Sequence, residues 1–155
     1  TGSDHAGQLR IYNKEGETSS YLGEGYLQAY NQFGERTLFL GTGSSGGGYL
    51  RTYNFDGQET VYVGTGADSS GQMRIYDSAG ETGTFIGSGY FRTYNQFGKM
   101  STFLGNGRDG GGYLRTNNKF ETETAFLGTN NSNEGLVNLN DKFGQSFWIR
   151  LNKGD

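Results

Sequence analysis

The chain repeats itself, and that repeat restricts its fold more than any other feature. Counted from Gly7, a unit reads Gly, any residue, an apolar residue, a polar residue, any residue, Tyr, Asn, two further residues and Gly, with a second Gly seven residues later. Units start at Gly7, Gly25, Gly48, Gly71, Gly89, Gly112 and Gly135, so their spacings run 18, 23, 23, 18, 23 and 23 residues. A longer period of 64 residues follows: Gln8-Leu9-Arg10-Ile11-Tyr12 returns as Gln72-Met73-Arg74-Ile75-Tyr76. The spacing predicts a tag or leader at 1–6, two triplets of repeats over 7–134, and a partial or capping repeat over 135–155.

Each unit reads as a β-hairpin. Tyr49-Leu50-Arg51-Thr52-Tyr53 and Thr60-Val61-Tyr62-Val63 are rich in β-branched and aromatic residues and bounded by glycine. Between them, Asn54-Phe55-Asp56-Gly57 suits a type I turn followed by a left-handed Gly, a three-residue hairpin loop. Glu121 replaces that Gly in the sixth unit and is expected to mark an altered turn. No segment carries a capped helical period, so the expected class is all-β.

The turn predicts a register. With Asn54 opposite Gln58, Leu50 falls opposite Tyr62 and Arg51 opposite Val61, and likewise Leu27 opposite Phe39 and Leu114 opposite Phe126. Leu50, Thr52 and Tyr62 then share one face, and Tyr49, Arg51, Tyr53 and Val63 the other. A two-residue loop would instead bring Tyr49 beside Tyr62. Either way both faces carry large apolar groups that one hairpin cannot bury, so hairpins must pack on neighbours in this chain or in other copies of it. Stacked units would align Tyr12, Tyr30, Tyr53, Tyr76 and Tyr94 in one column and Arg10, Arg51, Arg74, Arg92 and Arg115 in another. A like-charge column needs each Arg to reach an acid or lie over a Tyr ring.

Little in the sequence supports chemistry. The chain has no Cys and one His, His5, which disfavours Ser-His and Cys-His triads and a His-based zinc site, so no catalytic residue, metal or cofactor is assigned. Gly41 to Gly46 and Gly105 to Gly110 match G-x-G-x-x-G, but each precedes a predicted strand rather than a helix and reads as a flexible connector. Glu17, Glu35 and Glu81 recur with the repeat, as solvated turn residues do. Gly107-x-Asp109 matches a fragment of calcium-binding nonapeptide repeats but does not recur in tandem. The net charge of −3 gives no nucleic-acid footprint, and no apolar run is long enough to cross a bilayer.

The aromatic positions carry two readings. Tyr26, Tyr49, Tyr90 and Tyr113 occupy one unit position, near Arg51, Arg92 and Arg115, while Gln8 and Gln72 hold it in the first unit of each triplet. Exposed, these residues would suit a glycan, the ring stacking on pyranose C–H groups; buried, they would be core or contacts between copies. The second reading is preferred.

The recurring Gly-Tyr-Leu-x-x-Tyr-Asn-x-x-Gly-x-x-x-x-x-Leu-Gly, as in Gly25 to Gly41, resembles the glycine-rich β-repeats of phage tail fibres and bacterial surface fibres. The resemblance implies a homotrimer, an extracellular or virion-surface setting and a role in reach and attachment. The expectation is therefore a non-catalytic structural or adhesive fibre module, an elongated β-prism or β-solenoid-like stack that assembles with itself. The alternative is a glycan-binding repeat lectin, and a single-chain three-sided prism is the rival architecture. Ser146-Phe147-Trp148-Ile149-Arg150-Leu151 lacks the closing Gly and reads as a cap or a truncation.

Overall fold

The computed structural model describes residues 7–108, 110–130 and 132–151. His5, the segment 1–6 and Asp109 of the G-x-D motif lie outside the described residues. All regular structure among the described residues is β, and the chain divides into two units, one ending at Glu81 and the other beginning at Thr82. The first holds β1 (Gln8–Tyr12), β2 (Thr18–Gly23), β3 (Tyr26–Tyr30), β4 (Arg36–Thr42), β5 (Gly48–Tyr53), β6 (Glu59–Thr65) and β7 (Gly71–Tyr76). The second holds β8 (Thr82–Gly87), β9 (Tyr90–Tyr94), β10 (Met100–Asn106), β11 (Gly112–Asn117), β12 (Glu123–Thr129), β13 (Gly135–Asn140) and β14 (Ser146–Leu151). Within each unit every strand pairs antiparallel with its sequence neighbours, giving one open layer of hairpins joined edge to edge.

Two turn chemistries link the strands. After odd-numbered strands stands the Asx turn predicted from sequence. The Asn54 N–H donates to the Gln58 carbonyl at 2.9 Å and the Gly57 N–H to the Asn54 carbonyl at 3.1 Å, while Asn54 Oδ1 accepts from the N–H groups of Asp56 and Gln58. Gly57 sits at φ 76°, where an L side chain is disfavoured. The long linkers are not loose connectors, as expected from sequence, but a second set of the same turn. The Gly43 N–H donates to the Gly47 carbonyl at 2.8 Å and Gly46 takes the left-handed place at φ 82°. The short steps are two-residue turns, Glu24-Gly25 and Ser88-Gly89, with positive φ at both residues as in type I′. Both connections end in one register: Gly23 faces Tyr26 across the short turn and Gly41 faces Tyr49 across the long one. The spacings of 18 and 23 residues therefore differ only in how far the hairpin extends beyond a common point.

Glu121 corrects an expectation. It keeps the ordinary turn, its N–H donating to the Asn118 carbonyl at 3.0 Å, and adopts φ 70° despite its side chain. Its carboxylate reaches Lys99 Nζ at 3.6 Å and the Met100 N–H at 3.2 Å, contacts that offset part of the strain.

The register also corrects the sequence reading. Tyr53 faces Glu59 as the turn dictates, but Thr52 faces Val61, leaving Thr60 unpaired in a β-bulge. The extra residue advances everything beyond it by one. Leu50 faces Val63 rather than Tyr62, Arg51 faces Tyr62 rather than Val61, Leu27 faces Leu40 rather than Phe39, and Leu114 faces Leu127 rather than Phe126. The shift recurs in the hairpins at Ser19, Thr37, Ser101, Thr124 and Phe147. Hydroxyls hold it: Thr60 shares a hydrogen bond with Thr52 at 2.8 Å, and Ser19 donates to the Ile11 carbonyl at 3.1 Å.

The bulge sorts the faces cleanly. On one lie Leu9, Leu22, Leu27, Leu40, Leu50, Val63 and Met73 in a continuous row, with Ile86, Phe91, Leu104, Leu114, Leu127 and Val137 forming its counterpart in the second unit. The other face carries the aromatic rings and arginines. One layer cannot enclose a core: among the described residues only Tyr21 and Phe103 are buried hydrophobics, and no side chain is fully buried.

Candidate functional site

The ring face holds a ladder in each unit. A strand ending at a closing Gly places an aromatic two residues earlier, and its neighbour supplies Tyr opposite that Gly. Tyr21, Tyr26, Phe39, Tyr49 and Tyr62 thereby line up in the first unit with successive centroids 5.2, 5.5, 5.0 and 5.8 Å apart. Phe85, Tyr90, Phe103, Tyr113 and Phe126 do the same in the second at 5.2, 5.6, 4.7 and 5.2 Å. Apart from the 34° Tyr21–Tyr26 contact, interplanar angles are 17–26°, within the offset-stacked range. The closing glycines permit this. A Cβ at Gly41 would lie 2.5 Å from Tyr26 Cβ, and one at Gly64 would meet the Tyr49 Cβ and the Gly48 carbonyl.

The arginines lie among the rings. Arg51 faces Phe39 on one side and Tyr62 on the other, so the expected like-charge column is broken by a ring between successive arginines. Its guanidinium sits 4.7 Å from the Tyr49 centroid, Arg92 sits 4.2 Å from Tyr90, and Arg10 sits 5.4 Å from Tyr21. Each of these three lies over a Tyr ring, as the sequence reading required. Arg51 also faces Glu59, Nε to Oε2 at 3.2 Å, close enough for an ion pair though not aligned as a hydrogen bond. Burial works against the Arg51 charge, but Glu59 and the tyrosines overcome it and raise its pKa. Burial and the Glu59 carboxylate likewise push the Tyr76 phenol up, and burial and Glu24 do so at Tyr21.

All seven residues proposed from sequence fall on this face: Tyr26, Tyr49 and Arg51 in the first unit, Tyr90, Arg92, Tyr113 and Arg115 in the second. They do not form isolated sites. Tyr49 is sandwiched between Phe39 and Tyr62, and Tyr113 between Phe103 and Phe126, so their faces are used by other rings and their edges meet solvent. The partners missed from sequence are Tyr21, Phe39, Tyr62, Phe85, Phe103 and Phe126. An aromatic always two residues before the closing Gly was the available signal. Where Gln8 replaces Tyr, the first ladder stops, and Gln8, Arg10, Tyr21, Tyr26, Gln28 and Tyr30 line an open groove in which the Tyr30 hydroxyl donates to Gln28.

No protein-family model matches the chain, and no curated protein matches it.

Proposed function

We propose that this chain is a non-catalytic structural module of a fibre, displayed outside the cell or on a virion, whose sheets are completed by further copies of the same chain. The observation that carries the reading is a well-formed sheet in which, among the described residues, only Tyr21 and Phe103 are buried hydrophobics. Among the same residues Leu9, Ile11, Leu22, Leu40 and Leu127 stand 48–56% exposed although they lie in paired strands. Apolar side chains left open in this way are what obligate interfaces cover. A row of leucines, isoleucines and valines open to water is unstable as a final state and suits a second layer.

Three copies give a consistent closure. Strands of five to seven residues span about 17–23 Å. Three walls of that width enclose a triangle whose sides lie about 5–7 Å from the axis, comparable with half the roughly 10 Å between packed sheets. Such a prism buries one face of each of the three sheets and makes them the walls of a rod suited to reach and attachment.

The groove beside Gln8 favours the second reading, a glycan-binding lectin, because Arg10, Gln28 and Glu24 converge there on Tyr21 and Tyr26. The ladder argues against it elsewhere, since a pyranose needs a free ring face. Light scattering in solution tests the leading reading: the expected mass is about 51 kDa, three chains. A monomer at micromolar concentration, or a strong hit on a glycan array abolished by Tyr26→Ala, would reverse the order.

A further inference from the structure

We propose that the aliphatic face is the surface on which copies of this chain pack, and that the ring face is turned to solvent. The proposal rests on the reading above and adds which of two apolar-bearing faces is used. Exposure alone does not decide, because Leu9 and Tyr12, on opposite faces of β1, are each 56% exposed. The chemistry of the faces does. The ring face carries Arg10, Arg51, Arg74, Arg92 and Arg115 with Glu59, and pressing a second sheet on it would strip water from these charges at a cost that few contacts could offset. Its rings have meanwhile found partners within their own sheet.

In each unit the aliphatic face is uncharged, from β1 through β7 and from β8 through β13; the end strand β14 adds Arg150, opposite Val137. Leu22 and Leu40 in the first unit and Ile86, Leu104 and Leu127 in the second stand 44–54% exposed along the first row of their own sheet. Several hydroxyls of its second row are satisfied within the sheet: Thr52 bonds Thr60 and Thr93 bonds Ser101, both at 2.8 Å, and Thr116 bonds Thr124 at 3.2 Å. Covering this face would therefore remove apolar area from water and leave these hydroxyls paired. A partner for these largely uncharged rows must itself present uncharged aliphatic strand surface, and a second copy of the chain supplies it.

The chain has no cysteine, so single cysteines report accessibility cleanly. Leu9→Cys, Leu104→Cys and Tyr12→Cys start from similar exposure within one chain. In the native assembly, maleimide should label Cys at 9 and 104 at least tenfold more slowly than Cys at 12, and all three should react alike in denaturant. Leu104→Glu should release monomers while Tyr12→Glu leaves the assembly intact, a second readout that does not depend on labelling. Equal labelling at all three sites, protection at 12, or dissociation by Tyr12→Glu alone overturns the face assignment while an assembled parent keeps the structural reading. A monomeric parent chain overturns both.

Discussion

Gly64 lies directly across from Tyr49, and the tyrosine Cβ occupies the volume that a side chain at 64 would need. The obstruction includes the Gly48 carbonyl oxygen at 2.7 Å and Tyr49 Cα at 2.8 Å, so it is backbone as well as side chain and cannot swing aside. Gly64→Ala should therefore destabilise by about 1–3 kcal/mol, the usual cost of overpacking. Gly71→Ala is the control, because a Cβ there meets nothing within 4 Å at ordinary φ. Urea midpoints compare them, and equal midpoints would remove the close approach as the reason for the closing Gly.

The turn glycines make a different demand. Gly57 has open space around it but sits at φ 76°, so the obstacle to a side chain is backbone conformation. Gly57→Val should cost about 2 kcal/mol or somewhat more, since the left-handed region is unfavourable for any L residue and worse for a β-branched one. Glu121→Gly should change stability by less than about 1 kcal/mol. It relieves the same strain but gives up the Lys99 and Met100 contacts. Thermal melts in one buffer order the pair.

Thr60 carries the bulge that fixes which side chains meet. Thr60→Val keeps the shape and removes the 2.8 Å hydrogen bond with Thr52, which should cost about 1 kcal/mol. Deleting Thr60 removes the extra residue itself and leaves Val61, Tyr62, Val63 and Gly64 opposite Thr52, Arg51, Leu50 and Tyr49, so the pairing should survive and only the bulge and its hydrogen bond be lost. Circular dichroism of the deletion should still show a cooperative transition, and its loss would mean that the bulge itself is needed for the pairing.

These three positions also show what the sequence made legible. The hairpins, their Asn-x-x-Gly turns and the Asn54–Gln58 pairing follow from local chemistry that Asn, Gly and β-branched residues declare by themselves. The register beyond Tyr53 does not, because a bulge depends on how Thr60 is accommodated against the opposite strand, which composition leaves unspecified. Alternation from the turn alone puts Leu50 with Tyr62, and one unpaired residue reverses it. The candidate residues were therefore found, Tyr49 and Arg51 among them, while Phe39 and Tyr62 were assigned to the wrong side. The meaning of the 18 and 23 spacings likewise needed the paired strands, since both turns end on the same Gly-to-Tyr contact.

Alkaline pH should loosen the fold. The phenols of Tyr21 and Tyr76 are raised above 10.0 by burial first and then by Glu24 and Glu59. A raised native pKa means that the folded chain holds its proton more tightly than the unfolded chain. The associated stability is complete below pH 10 and is lost as pH rises through the native values. Urea midpoints at pH 8 and pH 11 should show a decline, and Tyr76→Phe should make that decline smaller. A decline of the same size in Tyr21→Phe/Tyr76→Phe would assign it to other groups.

The ladder itself gives the last test, because its members differ in how many neighbours they have. Tyr49 has rings on both sides, at 5.0 and 5.8 Å, and the Arg51 guanidinium over it at 4.7 Å. Two ring contacts at about 0.5–1.5 kcal/mol each and a half-exposed cation contact of about 0.5–1 kcal/mol sum to about 2 kcal/mol or a little more. Tyr49→Ala should cost that much. Tyr12, at 56% exposure, should cost well under 1 kcal/mol on the same change. The coupling between Tyr49 and Phe39 can be isolated by a double-mutant cycle with Phe39→Ala, where the pair should show about 0.5–1.5 kcal/mol of interaction. If Tyr49→Ala leaves the melting temperature unchanged, the stacked rings are not holding the sheet, and the reason for a Tyr at each of these unit starts must be sought in a ligand instead.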